Sequence, residues 1–167
     1  MTRNESTKES IINTIKDNPG LHFRELQRRS GFAVGQLEYH LYQLLKENRI
    51  TTRQDGKLIR YFSNESGNVK LRNISYHLRG RTSRDIIIEL LRNNEKTLKK
   101  NSQSDEKYMN VIDTMIKDGI IDKHVDQGVI TIHLKNRQDI INFLKQYQNS
   151  FLDSLAYTML DLFEGRE

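Results

Sequence analysis

The stretch NPGLHFRELQRRSGFAVGQLEYHLYQLLKENRITTRQDGKLIRYF, residues 18–62, decides how this chain is read. Asn18-Pro19-Gly20 stops a preceding helix, because Pro cannot continue one and Gly leaves it readily. Phe23 to Arg29 predicts a short helix with Phe23 and Leu26 inward and Arg24, Arg28 and Arg29 outward, ended by Ser30-Gly31. Ala33 to about Glu47 predicts a longer one. There Val34, Leu37, Leu41, Leu44 and Leu45 share a face at helical spacing. Gly35, Gln36, Tyr39, Gln43 and Lys46 lie opposite, with Tyr42 near the edge of that face. Ile50 to Arg53 and Leu58 to Phe62 predict strands around Gln54-Asp55-Gly56-Lys57, where Asp-Gly supplies the positive φ of a tight hairpin. Leu21-His22-Phe23 is too short to stand alone and suits a brief third strand.

A short basic helix, a groove-sized helix and a charged hairpin, in that order, make a winged helix-turn-helix, a module that reads duplex DNA. The outward face of the longer helix is polar but almost uncharged. Gln and Tyr offer donors and acceptors for base edges and phosphates. Gln36, Tyr39 and Gln43 are therefore expected at or near bases. Arg24, Arg28, Arg29, Lys46, Arg53, Lys57 and Arg60 are expected on the backbone. The plainer alternative is a solvated face and a hairpin edge guarded by charge. His40 is expected to pack at the flank of its helix.

Charge is unevenly spread. Residues 1–62 hold 11 Lys/Arg and 7 Asp/Glu, residues 63–100 hold 9 and 4, and residues 101–167 hold 7 and 11. The first two stretches suit phosphate and the last does not. With no Cys, disulfides and thiol chemistry are excluded. No apolar run approaches a membrane span of ~18 residues, and the first residues lack the apolar core of a signal peptide. The expectation is a cytoplasmic, nucleoid-associated protein with no membrane partner.

Upstream, Ser6 with Glu9 suits a capping box before the stripe Ile11, Ile12, Ile15. Downstream, 64–82 reads as a basic linker with Val69 to Leu78 able to form a helix. The first pattern then repeats in weaker form over 83–135. Ser83 caps a helix through Arg92, and a short segment around Thr97 to Lys100 parallels the Phe23 helix. Ser104 caps a helix through Lys117 that Gly119 closes. Strands Ile120 to Val125 and Val129 to Leu134 flank Asp126-Gln127-Gly128. Asp105, Glu106, Asp113 and Asp118 in and beside the second long helix would repel phosphate. Residues 136–167 predict one helix from Arg137 to about Glu164. Ile140, Leu144, Tyr147, Phe151, Leu155 and Leu162 form a stripe on it that suits a homodimer contact or packing across the chain. The fold class is mainly α with small β wings (α+β): two tandem winged helix-turn-helix modules, 1–63 and 83–135, plus a long C-terminal helix.

Gly35-Gln36-Leu37-Glu38-Tyr39-His40-Leu41 and Leu44-Leu45-Lys46-Glu47-Asn48-Arg49-Ile50 resemble ArsR/MarR-like winged-helix regulators of archaea, especially those with tandem modules. Asn18-Pro19-Gly20, Phe23-Arg24-Glu25-Leu26, Asp55-Gly56-Lys57 and Tyr61-Phe62 match the same pattern. Tyr147-Gln148-Asn149-Ser150-Phe151-Leu152-Asp153 is similar to the stretch ending many tandem proteins. The resemblance implies a dimeric transcription regulator with its first module in the major groove; the transcription machinery is a further candidate partner. The second module departs from it: Asn101-Ser102-Gln103-Ser104 leads into Asp105-Glu106, and no His-Leu pair follows.

No Gly-rich phosphate loop, helical metal-binding His pair or catalytic arrangement is found. His124 and His133, with Asp122, are placed to face one another across the second hairpin as a metal or pH sensor. Unliganded surface histidines are the commoner case. The expectation is a sequence-specific DNA-binding regulator, not an enzyme, without cofactor or metal. The alternative is a winged-helix interaction scaffold in a transcription or chromosome-organising complex.

Overall fold

Ile11, Ile12 and Ile15 give α1 (Arg3–Asp17) one apolar stripe, and all three are buried. The computed structural model describes residues 3–65, 67–98 and 105–152. The chain divides into two units, Met1–Arg72 and Asn73–Glu167. Because α1 starts at Arg3, Ser6 lies inside the helix and does not cap it. The helix ends where Asn18 Nδ2 donates to the Thr14 carbonyl at 3.0 Å.

α2 (Phe23–Ser30) starts with the Glu25 carboxylate accepting from the His22 N–H at 3.2 Å. It stops at Gly31, whose φ of 72° suits a residue without Cβ. α3 (Val34–Lys46) ends at Asn48, another left-handed position (φ 55°), and the Arg49 N–H returns to the Leu44 carbonyl at 3.0 Å. β1 (Ile50–Asp55) and β2 (Leu58–Ser63) pair antiparallel, with Asp55 opposite Leu58. The turn is thus Gly56-Lys57, not Asp55-Gly56, and only Gly56 (φ 57°) takes positive φ. Beside β2 runs the Gly20–His22 segment. The Gly20 N–H donates to the Tyr61 carbonyl and the Tyr61 N–H to the Leu21 carbonyl, both at 3.0 Å, and His22 bridges to Arg60. The core under this frame is Ile11, Ile12, Ile15, Leu21, Leu26, Leu37, Leu41, Leu44 and Ile50.

On the α1 side, ion pairs tie helices to the hairpin base: Lys8 with Glu47, Lys16 with Glu65, and Arg49 with Glu9 (2.7 Å) and Glu65 (2.5 Å). Lys16 first and Arg49 second hold the Glu65 carboxyl below the usual range.

The division between units falls within α4 (Val69–Arg79). In the second unit, α5 (Arg81–Asn93) begins after Gly80, two residues before Ser83. Ser83 is therefore not its cap. Its Oγ instead donates to the His77 carbonyl at 2.6 Å and closes the α4–α5 corner. The buried His77 lies 2.6 Å from the Asp118 carboxylate. β3 (Glu95–Leu98) takes Thr97 and Leu98, the start of the segment expected to parallel α2. Residues 99–104, including the expected cap Ser104, lie outside the described residues. α6 (Asp105–Lys117), β4 (Ile121–Asp126) and β5 (Val129–Leu134) follow, in a sheet of order β3-β5-β4. Gln127 and Gly128 both take positive φ, as a two-residue I′ turn requires. His133 sits opposite Asp122 and His124 opposite Thr131, so the two histidines do not face one another.

A local repeat links the units. Gly119 (φ 71°) occupies the place after α6 that Asn48 holds after α3. The Ile120 N–H returns to the Met115 carbonyl as Arg49 does to Leu44. Lys135 N–H donates to the Ile120 carbonyl as Asn64 does to Arg49.

The last expected helix is interrupted within the described residues. α7 (Arg137–Gln146) breaks at Tyr147 (φ −111°, ψ 23°) before helical backbone resumes at Gln148. Tertiary contacts account for the break. Phe143 stacks against Tyr147 and Phe151, with centroids 4.6 and 5.6 Å away. Arg79 lies 3.9 Å over the Phe151 ring and donates to the Ser150 carbonyl (3.0 Å) and Oγ (2.5 Å). Ile140 and Phe151 are buried within their own unit, and Leu144 and Tyr147 are half-buried. These positions therefore do not form the free dimer stripe that the pattern suggested. Leu155 and Leu162 lie outside the described residues.

Candidate nucleic-acid interface

Burial fixes which way α3 faces. Leu37, His40, Leu41 and Leu44 are its buried residues. At about 100° per residue, the centre of the opposite arc falls on Gly35, Tyr39, Tyr42 and Lys46. Tyr42 is 56% exposed and Tyr39 52%. Tyr42 thus stands at the middle of the outward face, not at its edge. Gln36 is exposed, while Gln43 is half-buried on the flank beside His40. Val34 (47%) and Leu45 (39%) are exposed, because the buried arc is narrower than the Val34-to-Leu45 stripe and His40 fills its other side. Lys46 Nζ sits 5.1 Å from the Tyr42 ring centroid, a cation–π contact that keeps the charge on the ridge.

Gly35 stands at the start of this ridge. Its φ is not positive, and a Cβ built there meets nothing within 4 Å. Neither backbone conformation nor packing calls for glycine at this place. A glycine at such a site suits close approach of backbone to a ligand.

The cations divide into two groups. Arg24, Arg28 and Arg29 on α2 and Lys57 in the hairpin turn are exposed, and none makes an ion pair among the described residues. Arg53 is half-buried and has an interaction of its own. Arg60 is only 6% exposed. Its Nε donates to Asp55 Oδ2 at 2.6 Å and its NH1 to the Gly20 carbonyl at 3.0 Å. The expectation that Arg60 holds a phosphate is therefore corrected: this guanidinium fastens the hairpin to the Gly20 segment. The alternation that carries Phe62 into the core carries Arg60 to the same side.

Between α3 and the hairpin lies an open groove, its floor formed by Phe23, Leu41 and Tyr61 and its rim by Arg24, Glu38 and Lys57. Burial, and then the Glu38 charge, push the Tyr61 phenol up from its ordinary pKa, so it stays a neutral donor. The Glu38 carboxylate is the one negative group in this lining. Residues that hold one another on the α1 side thus leave the α2–α3–hairpin side with the uncommitted positive charge.

Residues 5–74 match a family described as an N-terminal HTH domain, of the HVO_0163 type. The first unit is a helix-turn-helix unit with an attached hairpin. Over 56 residues the chain is 39% identical to an uncharacterised HTH-type transcriptional regulator, MJ1398, of Methanocaldococcus jannaschii. That similarity covers 34% of this chain and 14% of the relative, so it takes in a small part of a longer protein. No solved structure matches the chain. Among the described residues, no helix is long and apolar enough to cross a membrane.

Proposed function

We propose that the chain is a sequence-specific duplex-DNA-binding transcription regulator, with α3 in the major groove and the β1–β2 hairpin on the adjoining backbone or minor groove. One observation carries the reading: the outward ridge of α3 offers hydrogen-bonding and aromatic groups almost free of charge, flanked by the unpaired cations Arg24, Arg28, Arg29 and Lys57. Such a division suits bases in the middle and phosphates at the sides. Gln36 and Tyr39 read bases in this account, with Tyr42 added from its exposure. Lys46 and the α2 arginines hold the strands. The relative's name as a transcriptional regulator supports the reading.

The reading extends to a homodimer acting in the cytoplasm, each copy covering a half-site. It takes the second unit as a further winged helix of the ArsR/MarR-like tandem kind, with a protein-facing role and no catalysis. Glu106 and Asp113, exposed on α6, would meet phosphate with like charge. That acidity also favours a second reading, in which the chain is a scaffold in a transcription or chromosome-organising complex.

Fluorescence anisotropy with duplexes selected from a random pool tests the choice. Log affinity falls linearly with log salt, at about −0.9 per phosphate contact. Joint replacement of Arg24, Arg28 and Arg29 by Ala weakens all sequences and flattens that slope. Gln36→Ala relaxes the preference among sequences. A chain that retains no duplex at low salt, or three arginine changes without effect, rejects the proposal in favour of the scaffold.

A further inference from the structure

The exposed surface of α3 is apolar to a degree that duplex binding by itself does not require. Four of the exposed large hydrophobic side chains, Val34, Tyr39, Tyr42 and Leu45, lie on this one helix of 13 residues. In a helix-turn-helix the N-terminal residues of the second helix meet the base edges. Here those residues are Val34, Gly35 and Gln36, and they carry no charge. The helix holds no arginine, and its lysine is its last residue, drawn to the Tyr42 ring.

Base pairs differ in what they ask of such a surface. Guanine is recognised chiefly by Arg or Lys on its O6 and N7, adenine by a Gln or Asn amide on N6 and N7, and thymine by apolar contact with its 5-methyl group. Gln36 matches the second requirement, and Val34 with the Tyr39 ring matches the third. The partner for guanine is missing from the reading half of the helix. Glu38 is the α3 group able to accept from cytosine, but it lines the groove with Arg24, Lys57 and Tyr61, on the hairpin side. Gly35, which nothing in the chain requires, leaves the helix surface low enough for base edges to come close between Val34 and Tyr39.

We infer that α3 selects A·T pairs, packing Val34 and Tyr39 against thymine methyl groups while Gln36 reads an adjoining adenine. This rests on the DNA-binding reading above and narrows it to one class of target. Burying one methyl from water gives about a fourfold gain in affinity. Two such contacts therefore separate an A·T core from its methyl-free counterpart by more than tenfold.

The test uses the full chain and two versions of a duplex recovered from a random pool, one with thymine and one with deoxyuridine through the protected core. Deoxyuridine keeps every hydrogen-bonding group and removes only the methyl. Expected are A·T-rich recovered cores, an affinity loss of about fourfold per contacted methyl and an unchanged salt slope. Val34→Ser, at an exposed position that leaves the core intact, shrinks the thymine–deoxyuridine difference. G·C-rich cores overturn the inference while leaving DNA binding standing, and so does equal affinity for the two duplexes. Full discrimination by Val34→Ser removes Val34 from it. Failure to retain any duplex removes both this inference and the reading it rests on.

Discussion

Replacing Arg60 with Met separates two roles that a basic hairpin residue can have. Met keeps an apolar stem of similar length and removes the guanidinium. The bonds lost include those to Asp55 Oδ2 at 2.6 Å and to the Gly20 carbonyl at 3.0 Å. A hydrogen bond to a charged group contributes about 1.5–3 kcal/mol, and breaking a fully buried pair costs about 3–5 kcal/mol. The Asp55 side chain is 28% exposed, so its carboxylate regains water once Arg60 is gone. That places the cost at about 2–3 kcal/mol, below the fully buried case. Native-state hydrogen exchange on the β1 and β2 amides reads this locally, as protection reduced roughly 30- to 150-fold. Lys57→Ala, in the exposed turn, changes the same amides by less than about 0.5 kcal/mol. If Arg60→Met protects these amides as well as Lys57→Ala does while duplex affinity drops, Arg60 is a DNA contact and the fastening role is wrong.

Gly35→Ala should stabilise the first unit by up to about 1 kcal/mol, since Ala is the better helix former and its methyl meets nothing. Duplex affinity should fall at the same time. Urea unfolding and anisotropy on one preparation check the pair, and a variant both more stable and tighter-binding excludes close approach at Gly35. His40 is 3% exposed, its Nδ1 has no hydrogen-bond partner among the described residues, and burial first and Lys8 second lower its pKa from 6.5. Below pH ~6.5 the unfolded chain therefore binds more protons than the folded one at this site. The stability gained from a neutral His40 is full above pH ~6.5 and is lost as pH falls from there toward the folded pKa. His40→Leu should flatten the profile of unfolding free energy in that window. Parallel profiles for the two proteins would show that His40 does not titrate as the structure indicates.

Much of the first unit could be read from residues 18–62, because its punctuation is chemical and local. Asn18-Pro19-Gly20, Gly31 and Gly56 mark breaks that hold in the structure. Less legible was which side of each element is buried. Counting His40 as apolar would have turned the α3 wheel and brought Tyr42 to the front. Setting Arg60 beside Phe62 by strand alternation would have marked it as inward. Both are polar groups taken into the core, which hydrophobic patterning overlooks. The C-terminal stripe misled for another reason. Its periodicity is helical, but Arg79, Ser150 and Phe151 form tertiary contacts from distant parts of the sequence, and these override the local pattern at Tyr147. Residues 95–98 became a strand because β5 offers a free edge, which no local signal announces.

The sorting of charge within the first unit has a kinetic consequence. Glu9, Glu47 and Glu65 are neutralised by Lys8, Lys16 and Arg49 on one side, while the arginines of α2 and Lys57 stand unopposed elsewhere. Such a unit carries an electric moment. A polyanion can exert a torque on it from about 8–10 Å away, the screening distance in ordinary salt. Under the proposed function, encounters begin with the unit already turned to present α3, so salt slows its arrival, whereas the dwell time on a chosen site would be governed by the uncharged ridge.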